Sequence, residues 1–92
     1  MTDLTKIRKR NGRIVEFEEG KIVTAIIKAL TVVGEVEGEI KRKNEAERLT
    51  KIVITIVKKG VNGEIPTVEQ IQDVVEQVLM AAGHYEVAKA YI

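Results

Sequence analysis

Cysteine, serine and tryptophan are all absent from the 92 residues, and histidine and proline each occur once. Without cysteine there is no disulfide framework, no thiol nucleophile and no cysteine-based zinc site. The lack of serine removes a second class of nucleophile. His84, the lone histidine, has no second histidine to help it hold a metal, and its place after Gly83 reads as a solvated helix cap. Carboxylates such as Glu45, Glu47, Glu69, Asp73 and Glu76 fall at caps and on helix faces, where solvation accounts for them better than paired acid–base work. Neither GxxxxGK[ST] nor GxGxxG occurs, which excludes a P-loop and a dinucleotide-binding turn. No catalytic set can be assembled, and any bound nucleotide is held rather than transformed.

Aromatics make up 3% of the chain, so a core must come from Ile, Val, Leu and Ala. Long apolar runs are missing too: Ile22 to Val33 is interrupted by Lys28 and is too short to span a bilayer. Met1-Thr2-Asp3-Leu4 lacks the charged and apolar regions of a signal peptide, leaving the cytoplasm as the expected location. Fifteen cations balance fourteen anions to give a net charge of +1, which argues against a generic polyanion binder. Positive charge is instead local.

It gathers in Lys6-Ile7-Arg8-Lys9-Arg10-Asn11-Gly12-Arg13, with five cations in eight residues. Asn11-Gly12 between extended segments predicts a β-hairpin with a type I′ turn, which needs positive φ at both central positions. The chain then enters a helix at Glu18. With Glu18 as N-cap, Phe17 and Ile22 have the spacing of a hydrophobic staple, and Lys21 lies at N3. A lysine in the first turn opposes the helix dipole. An anion bound there would reverse that cost: free N–H groups, Lys21, and Lys9 and Arg10 from the hairpin together describe a phosphate pocket. The alternative is a solvated basic hairpin with one poorly placed lysine. Nucleic-acid binding is a further rival, although Phe17, Tyr85 and Tyr91 read as packing residues rather than a base-reading surface.

Four helices are predicted. Ile22, Ile26, Leu30 and Val33, with Ala25 and Ala29, mark the first, stopped by Gly34. Glu35 to Lys43 reads as a charged surface loop. A second helix is expected from Asn44, with Glu47 at N3 in a capping box and Lys58-Lys59-Gly60 at its end. Its centre, Ile52-Val53-Ile54-Thr55-Ile56-Val57, is β-branched and favours strand by propensity. Leu49, Ile52, Val53, Ile56 and Gly60 nevertheless keep helical spacing, and the run predicts the most buried helix or one that covers a partner. After a turn at Asn62-Gly63, Thr67 and Gln70 form another capping box. Ile71, Val74, Val75, Val78 and Leu79 follow as the stripe of a third helix ending near Gly83, and a short fourth helix runs from Tyr85 to Ile92. The fold class is therefore α+β and mostly α, a small four-helix bundle capped by an N-terminal β-hairpin. Ending on Ala90-Tyr91-Ile92 without a polar tail, residues 1–92 read as one domain of a longer protein.

Two stretches carry a resemblance. Ile7-Arg8-Lys9-Arg10-Asn11-Gly12-Arg13-Ile14-Val15-Glu16-Phe17, with Lys21-Ile22 and Ala25-Ile26-Ile27-Lys28-Ala29, resembles the opening of the ATP-cone domain. Thr67-Val68-Glu69-Gln70-Ile71-Gln72-Asp73-Val74-Val75-Glu76, Leu79-Met80 and Glu86-Val87-Ala88-Lys89-Ala90-Tyr91-Ile92 are similar to its second half. ATP-cones are regulatory nucleotide-binding modules, most often at the N-terminus of ribonucleotide reductases, where ATP permits activity and dATP suppresses it. They also occur in a bacterial repressor of reductase genes and beside some archaeal kinases. The resemblance implies an ATP or dATP ligand with Mg²⁺ accompanying its phosphates, a catalytic domain as neighbour, and oligomerisation through the helices. By the same resemblance Lys9, Arg10 and Lys21 hold phosphates, Asn11 and Gly12 form the turn, and Ile7 and Ile22 line the adenine or ribose pocket. Glu18 stands near the sugar or base, and Thr67 contacts the nucleotide from the opposite side. The family often has Asp at the position of Asn11, and Asp or Asn at that of Glu18. Ile71 and Gln72 stand where some members carry a polar or acidic contact, and the basic residue that usually follows the last helix lies past Ile92.

Overall fold

A computed structural model describes residues 4–91. Met1–Asp3 and Ile92, on which the reading of the N-terminus and the end of the last helix partly rests, lie outside them. Two short strands, β1 (Lys6–Arg8) and β2 (Ile14–Glu16), precede four helices: α1 (Glu19–Val33), α2 (Glu39–Val61), α3 (Val68–Ala81) and α4 (Tyr85–Tyr91). Each helix packs on two others, in the cycle α1–α2–α3–α4 and back to α1. This is the expected α+β architecture, a helical bundle with a hairpin at one end.

The strands pair antiparallel with Ile7 opposite Val15, and these two turn inward while their neighbours face solvent. A two-stranded hairpin is marginal by itself, and this one is anchored. The amide of Arg8 donates to the Pro66 carbonyl at 2.9 Å, and Arg8 bridges Thr67 in parallel, so residues 66–67 cover the open edge of β1. Phe17 donates back to Thr5 at 2.8 Å, where the chain turns into α1.

The turn differs from the predicted type I′ form. Gly12 donates to the Lys9 carbonyl at 2.9 Å and Lys9 to that of Arg13 at 2.8 Å, leaving Arg10-Asn11-Gly12 as a three-residue loop. Gly12 takes positive φ (86°) but Asn11 does not. Its Oδ1 instead accepts from the Arg13 amide at 3.0 Å. A local side-chain bond thus stabilises a loop with one left-handed residue in place of two.

Helix α1 begins after Glu18 and stops at Gly34 (φ 73°), as expected, with Ile22, Ile26, Ala29 and Leu30 buried. Helix α2 requires correction. It starts at Glu39 behind Gly38, so Asn44 and Glu47 lie inside it and form no cap. Residues 39 to 43 contain no glycine or proline to delay the helix, and Glu39 favours its first turn electrostatically. Arg42 also donates to the Val36 carbonyl at 3.1 Å, holding the connector against the helix it precedes. At the other end Gly60 is helical and Asn62 is the left-handed cap, with Lys58 and Lys59 in the last turn.

The β-branched centre of α2 is helical, as its spacing predicts, but the helix is rotated from the expected register. Ala46, Leu49, Thr50, Val53 and Val57 are buried, whereas Ile52 and Ile56 are 39% and 42% exposed. Packed this way, the helix buries small residues such as Ala46 and Thr50 against its neighbours. The Thr50 hydroxyl donates to the Ala46 carbonyl at 2.7 Å, which makes its full burial affordable in hydrogen bonds. Helix α3 follows the sequence closely: Thr67 caps it, its capping box with Gln70 is complete, and Ile71, Val75, Val78 and Leu79 are buried. Val87 and Ala88 of α4 close the core.

Candidate functional site

At the hairpin end of the bundle, three elements converge because β1 is hydrogen-bonded to the residues that precede α3 and runs through β2 into α1. Between them lies a cavity of about 200 Å³. Ile7, Val15, Phe17, Ile22, Val68 and Ile71 make its walls apolar, Tyr91 reaches it from α4, and Lys9, Glu18, Lys21 and Gln72 supply its polar groups. Next to it, a groove of about 380 Å³ runs between the hairpin turn and α3, bordered by Lys9, Arg10, Asn11, Val68 and Gln72. Lys9, Val68 and Gln72 belong to both. Together the two spaces fall in the usual range of small-molecule sites, roughly 300–1,000 Å³, and show the usual pattern of apolar walls with few polar groups.

The charges around this space are unevenly satisfied. Glu18 is the N-cap of α1 but its side chain makes no capping bond; it pairs with Lys21 at 2.9 Å. The first-turn N–H groups are therefore left without a side-chain cap, and the positive end of the helix dipole lies at the start of α1, where Glu18, Lys21 and Ile22 line the cavity. Arg10 meets Glu69 at a loose 3.4 Å, and Arg8 donates to the Gly12 carbonyl at 3.2 Å. Among the described residues Lys9, just past the end of β1, has no carboxylate partner, whereas Lys6 within that strand pairs with Glu16. What the arrangement offers chemically is an apolar-walled cavity beside the ammonium group of Lys9, which has no carboxylate partner among the described residues.

Most of the residues singled out in the sequence are brought together here. Ile7, Lys9, Glu18, Lys21 and Ile22 line the cavity, and Arg10 and Asn11 line the groove. Gly12 shapes the turn. Thr67 borders neither space: its hydroxyl accepts from the Gln70 amide at 3.1 Å and its backbone bridges Arg8, so it locks α3 to the hairpin. Val15, Phe17, Val68 and Tyr91 also line the cavity and are not among the residues that the sequence singles out for the site. Val15 carries an inward-facing signal only through its alternation with Ile14 and Glu16, and nothing in the sequence brings Tyr91 across the bundle. No group of three or more His, Cys, Asp or Glu among the described residues could hold a metal ion, and no helix there is long and apolar enough to cross a membrane.

A second polar cluster sits at the opposite end of the bundle and overturns the reading of His84 and Glu45 as solvated. His84 is buried, with Nδ1 2.9 Å from Glu35 and Nε2 2.8 Å from Glu45. Arg48 grips Glu45 through two bonds of 2.9 Å. The cluster ties the α1–α2 connector and α2 to the turn before α4. Residues 35, 45 and 84 are too far apart in sequence for any local pattern to reveal it.

Ionised carboxylates only accept hydrogen bonds, so both contacts are satisfied together when both ring nitrogens of His84 carry hydrogen, which is the imidazolium form. Burial works against that charge, but the hydrogen bonds to Glu45 and Glu35 outweigh it and raise the pKa. The Arg48 hydrogen bonds, opposed by burial and helped by His84, lower the Glu45 pKa from 4.5 to about 2. Stability from His84 is complete below its ordinary value of about 6.5 and is lost as pH rises through the raised one. That from Glu45 is complete above 4.5 and is lost as pH falls toward 2. Denaturant melts should therefore show a maximum between about pH 4.5 and 6.5, and His84→Gln should abolish most of the alkaline decline, a change of about 1 kcal/mol for partly exposed partners.

The family model for the ATP cone domain matches residues 5–92. A vitamin B12-dependent ribonucleoside-diphosphate reductase of Thermoplasma acidophilum is 40% identical over 97% of this chain and 11% of that protein. The alpha subunits of ribonucleoside-diphosphate reductase from Chlamydia muridarum and Chlamydia pneumoniae are 35% and 33% identical, over 91% and 99% of this chain. The chain spans about a tenth of the length of these relatives. A match over nearly every residue, hairpin and α3 alike, together with the architecture of a hairpin-capped helical bundle, places the chain in the ATP-cone domain family.

Proposed function

We propose that this chain is a regulatory, non-catalytic domain that binds ATP or dATP and controls a cytoplasmic ribonucleotide reductase. The observation that carries the proposal is the apolar cavity opening between an uncapped helix N-terminus and Lys9, a cation without a carboxylate partner among the described residues. An adenine ring fills apolar space, and phosphates satisfy first-turn N–H groups and lysines. In this reading Ile7 and Ile22 flank the base or sugar, and Lys9, Arg10 and Lys21 hold phosphates. Asn11 and Gly12 set the turn that presents those cations, Glu18 orients Lys21, and Thr67 fixes the start of α3 across the site. Any Mg²⁺ accompanies the nucleotide on its own phosphate oxygens, the usual mode for this ion.

Regulation follows from linkage. A nucleotide bound where β1, α1 and α3 meet favours whichever arrangement of this domain and its neighbours leaves that junction intact, with a coupling typically of 1–3 kcal/mol. The neighbours proposed are the catalytic domain of the parent protein and further copies of it. ATP-cones serve repressors as well as reductases, and the reductase is preferred here because the relatives described above carry that name.

Calorimetric titration with ATP, dATP and GTP tests the proposal. Both adenine nucleotides should bind with one site and GTP at least tenfold more weakly. Equal binding of all three, or binding of any oligonucleotide with a steep dependence on salt, would make the hairpin a general polyanion site and refute it.

A further inference from the structure

We infer that Asn62 is a site of spontaneous covalent modification, at which the Gly63 amide displaces ammonia from the asparagine side chain, and that the folded chain spares the other Asn-Gly pair, Asn11-Gly12. Asparagine occurs at positions 11, 44 and 62, and at 11 and 62 it is followed by glycine. That pairing is the reactive one. With no Cβ, glycine lets its amide nitrogen approach the preceding Cγ without obstruction. Asn44 precedes Glu45 inside α2 and lacks this freedom.

The chemistry needs no reagent but water. Solvent base removes the proton from the Gly63 amide, its nitrogen bonds to Cγ of Asn62, and the Cγ–Nδ2 bond breaks with loss of ammonia to leave a cyclic imide. Water then opens the ring. Attack at Cγ breaks its bond to the Gly63 nitrogen and gives aspartate. Attack at the main-chain carbonyl gives isoaspartate, whose backbone runs through Cγ and is longer by a methylene. Nothing is oxidised or reduced.

Both pairs are exposed, so access of solvent does not separate them. Hydrogen bonding does. At the hairpin the Gly12 amide donates to the Lys9 carbonyl at 2.9 Å, Asn11 Oδ1 accepts from the Arg13 amide at 3.0 Å, and Lys9 closes the loop by donating to Arg13 at 2.8 Å. Nucleophile and target are both committed there. In the turn after α2 the bonds run from the Asn62 amide to the Lys58 carbonyl at 3.3 Å and from the Glu64 amide to the Val61 carbonyl at 3.0 Å, passing over Gly63. Among the described residues neither the Gly63 amide nor the Asn62 side chain has a hydrogen-bond partner. The product forms at the left-handed cap of α2 (φ 49°), where a new carboxylate meets the negative end of the helix dipole and so weakens the end of α2.

The test incubates the protein, folded and in denaturant, in mildly alkaline buffer made with heavy-oxygen water, and follows both sites by mass spectrometric peptide mapping. In denaturant the two asparagines should take up the label at similar rates, because each precedes glycine. Folding should slow Asn11 by about tenfold or more, the worth of the one or two bonds that hold it. Asn62, in an exposed turn with little to open, should stay within about threefold of its denatured rate. Folded protein in which Asn11 converts as fast as Asn62, or in which Asn62 is slowed as much as Asn11, would overturn the inference. The variant Asn62→Gly keeps a residue suited to the left-handed cap, so it should melt alike before and after incubation, whereas incubated wild type melts lower than fresh. Converted wild type that keeps its fresh midpoint would overturn the weakening of the α2 end.

Discussion

Lys9→Ala should weaken ATP binding by about tenfold to a hundredfold without shifting the thermal midpoint by more than a degree or two. The asymmetry follows from the position of Lys9. Its side chain is exposed, supports no packing and has no carboxylate partner among the described residues, so its removal takes little from the folded state. It lines both the cavity and the groove, and of the cations that border them, Lys9, Arg10 and Lys21, it alone has no carboxylate partner among the described residues. A hydrogen bond to a charged group is worth about 1.5–3 kcal/mol, which sets the range. Lys21→Ala should cost less, because Lys21 is already paired with Glu18 and sits where the helix dipole disfavours a cation. Calorimetry on both variants beside their melting curves checks the prediction. A Lys9→Ala protein that binds ATP as wild type does would remove the turn from the site.

Leu79→Ala should destabilise the domain by about 3–4 kcal/mol, the largest stability loss expected from one truncation in this chain. Leu79 is fully buried in α3, the helix that packs on both α2 and α4. Its carbonyl also accepts the His84 amide at 2.8 Å, at the turn that brings the His84 cluster together. Measured leucine-to-alanine losses in cores span about 2.7–5 kcal/mol and grow with the cavity that remains. Here the surroundings are largely β-branched Val and Ile, whose stiff side chains collapse poorly into a void. A domain of this size shifts by about 4–8 °C per kcal/mol, so the midpoint should fall by roughly 15–25 °C. Chemical denaturation read by circular dichroism measures it. A loss below about 1.5 kcal/mol would mean that the helices repack around the gap.

The two experiments probe different levels of organisation, and the sequence speaks to them unequally. Local signals were read correctly wherever one residue type has one physical use. Gly34 takes the left-handed position that ends α1, Thr67 and Gln70 cap α3, and the apolar spacing along α1 and α3 matches their buried faces. Asn44-Glu45-Ala46-Glu47 has the form of a capping box yet lies within α2, since residues 39 to 43 are equally able to be helical and Gly38 supplies the break. Asn11-Gly12 marks the hairpin but not its turn type, because the Asn11 side chain can satisfy the Arg13 amide in a different loop.

Within the candidate site, the cations of the hairpin and the first turn of α1 were legible because they are neighbours in sequence and their clustering is costly unless an anion or solvent relieves it. Ile52 and Ile56 show the opposite case. Helical spacing with Leu49 and Val53 assigns them to the core stripe, whereas packing against the neighbouring helices leaves them facing out and buries Ala46 and Thr50 instead. Periodicity fixes which residues share a face; only the neighbouring helices decide which face is covered.

By itself, the sequence determined that the chain is a hairpin followed by four helices, that it lacks the groups for catalysis by thiol, serine or a histidine-bound metal, and that its positive charge is concentrated at the hairpin and the start of α1. Each of these depends on interactions within a few residues, where backbone preference and spacing act directly. Tertiary structure alone decided that residues 66–67 seal the edge of β1, that Tyr91 and Gln72 stand at the cavity, and that His84 is held between Glu35 and Glu45. These contacts join residues tens of positions apart. Their partners are chosen by how four apolar faces pack together, which no local pattern encodes.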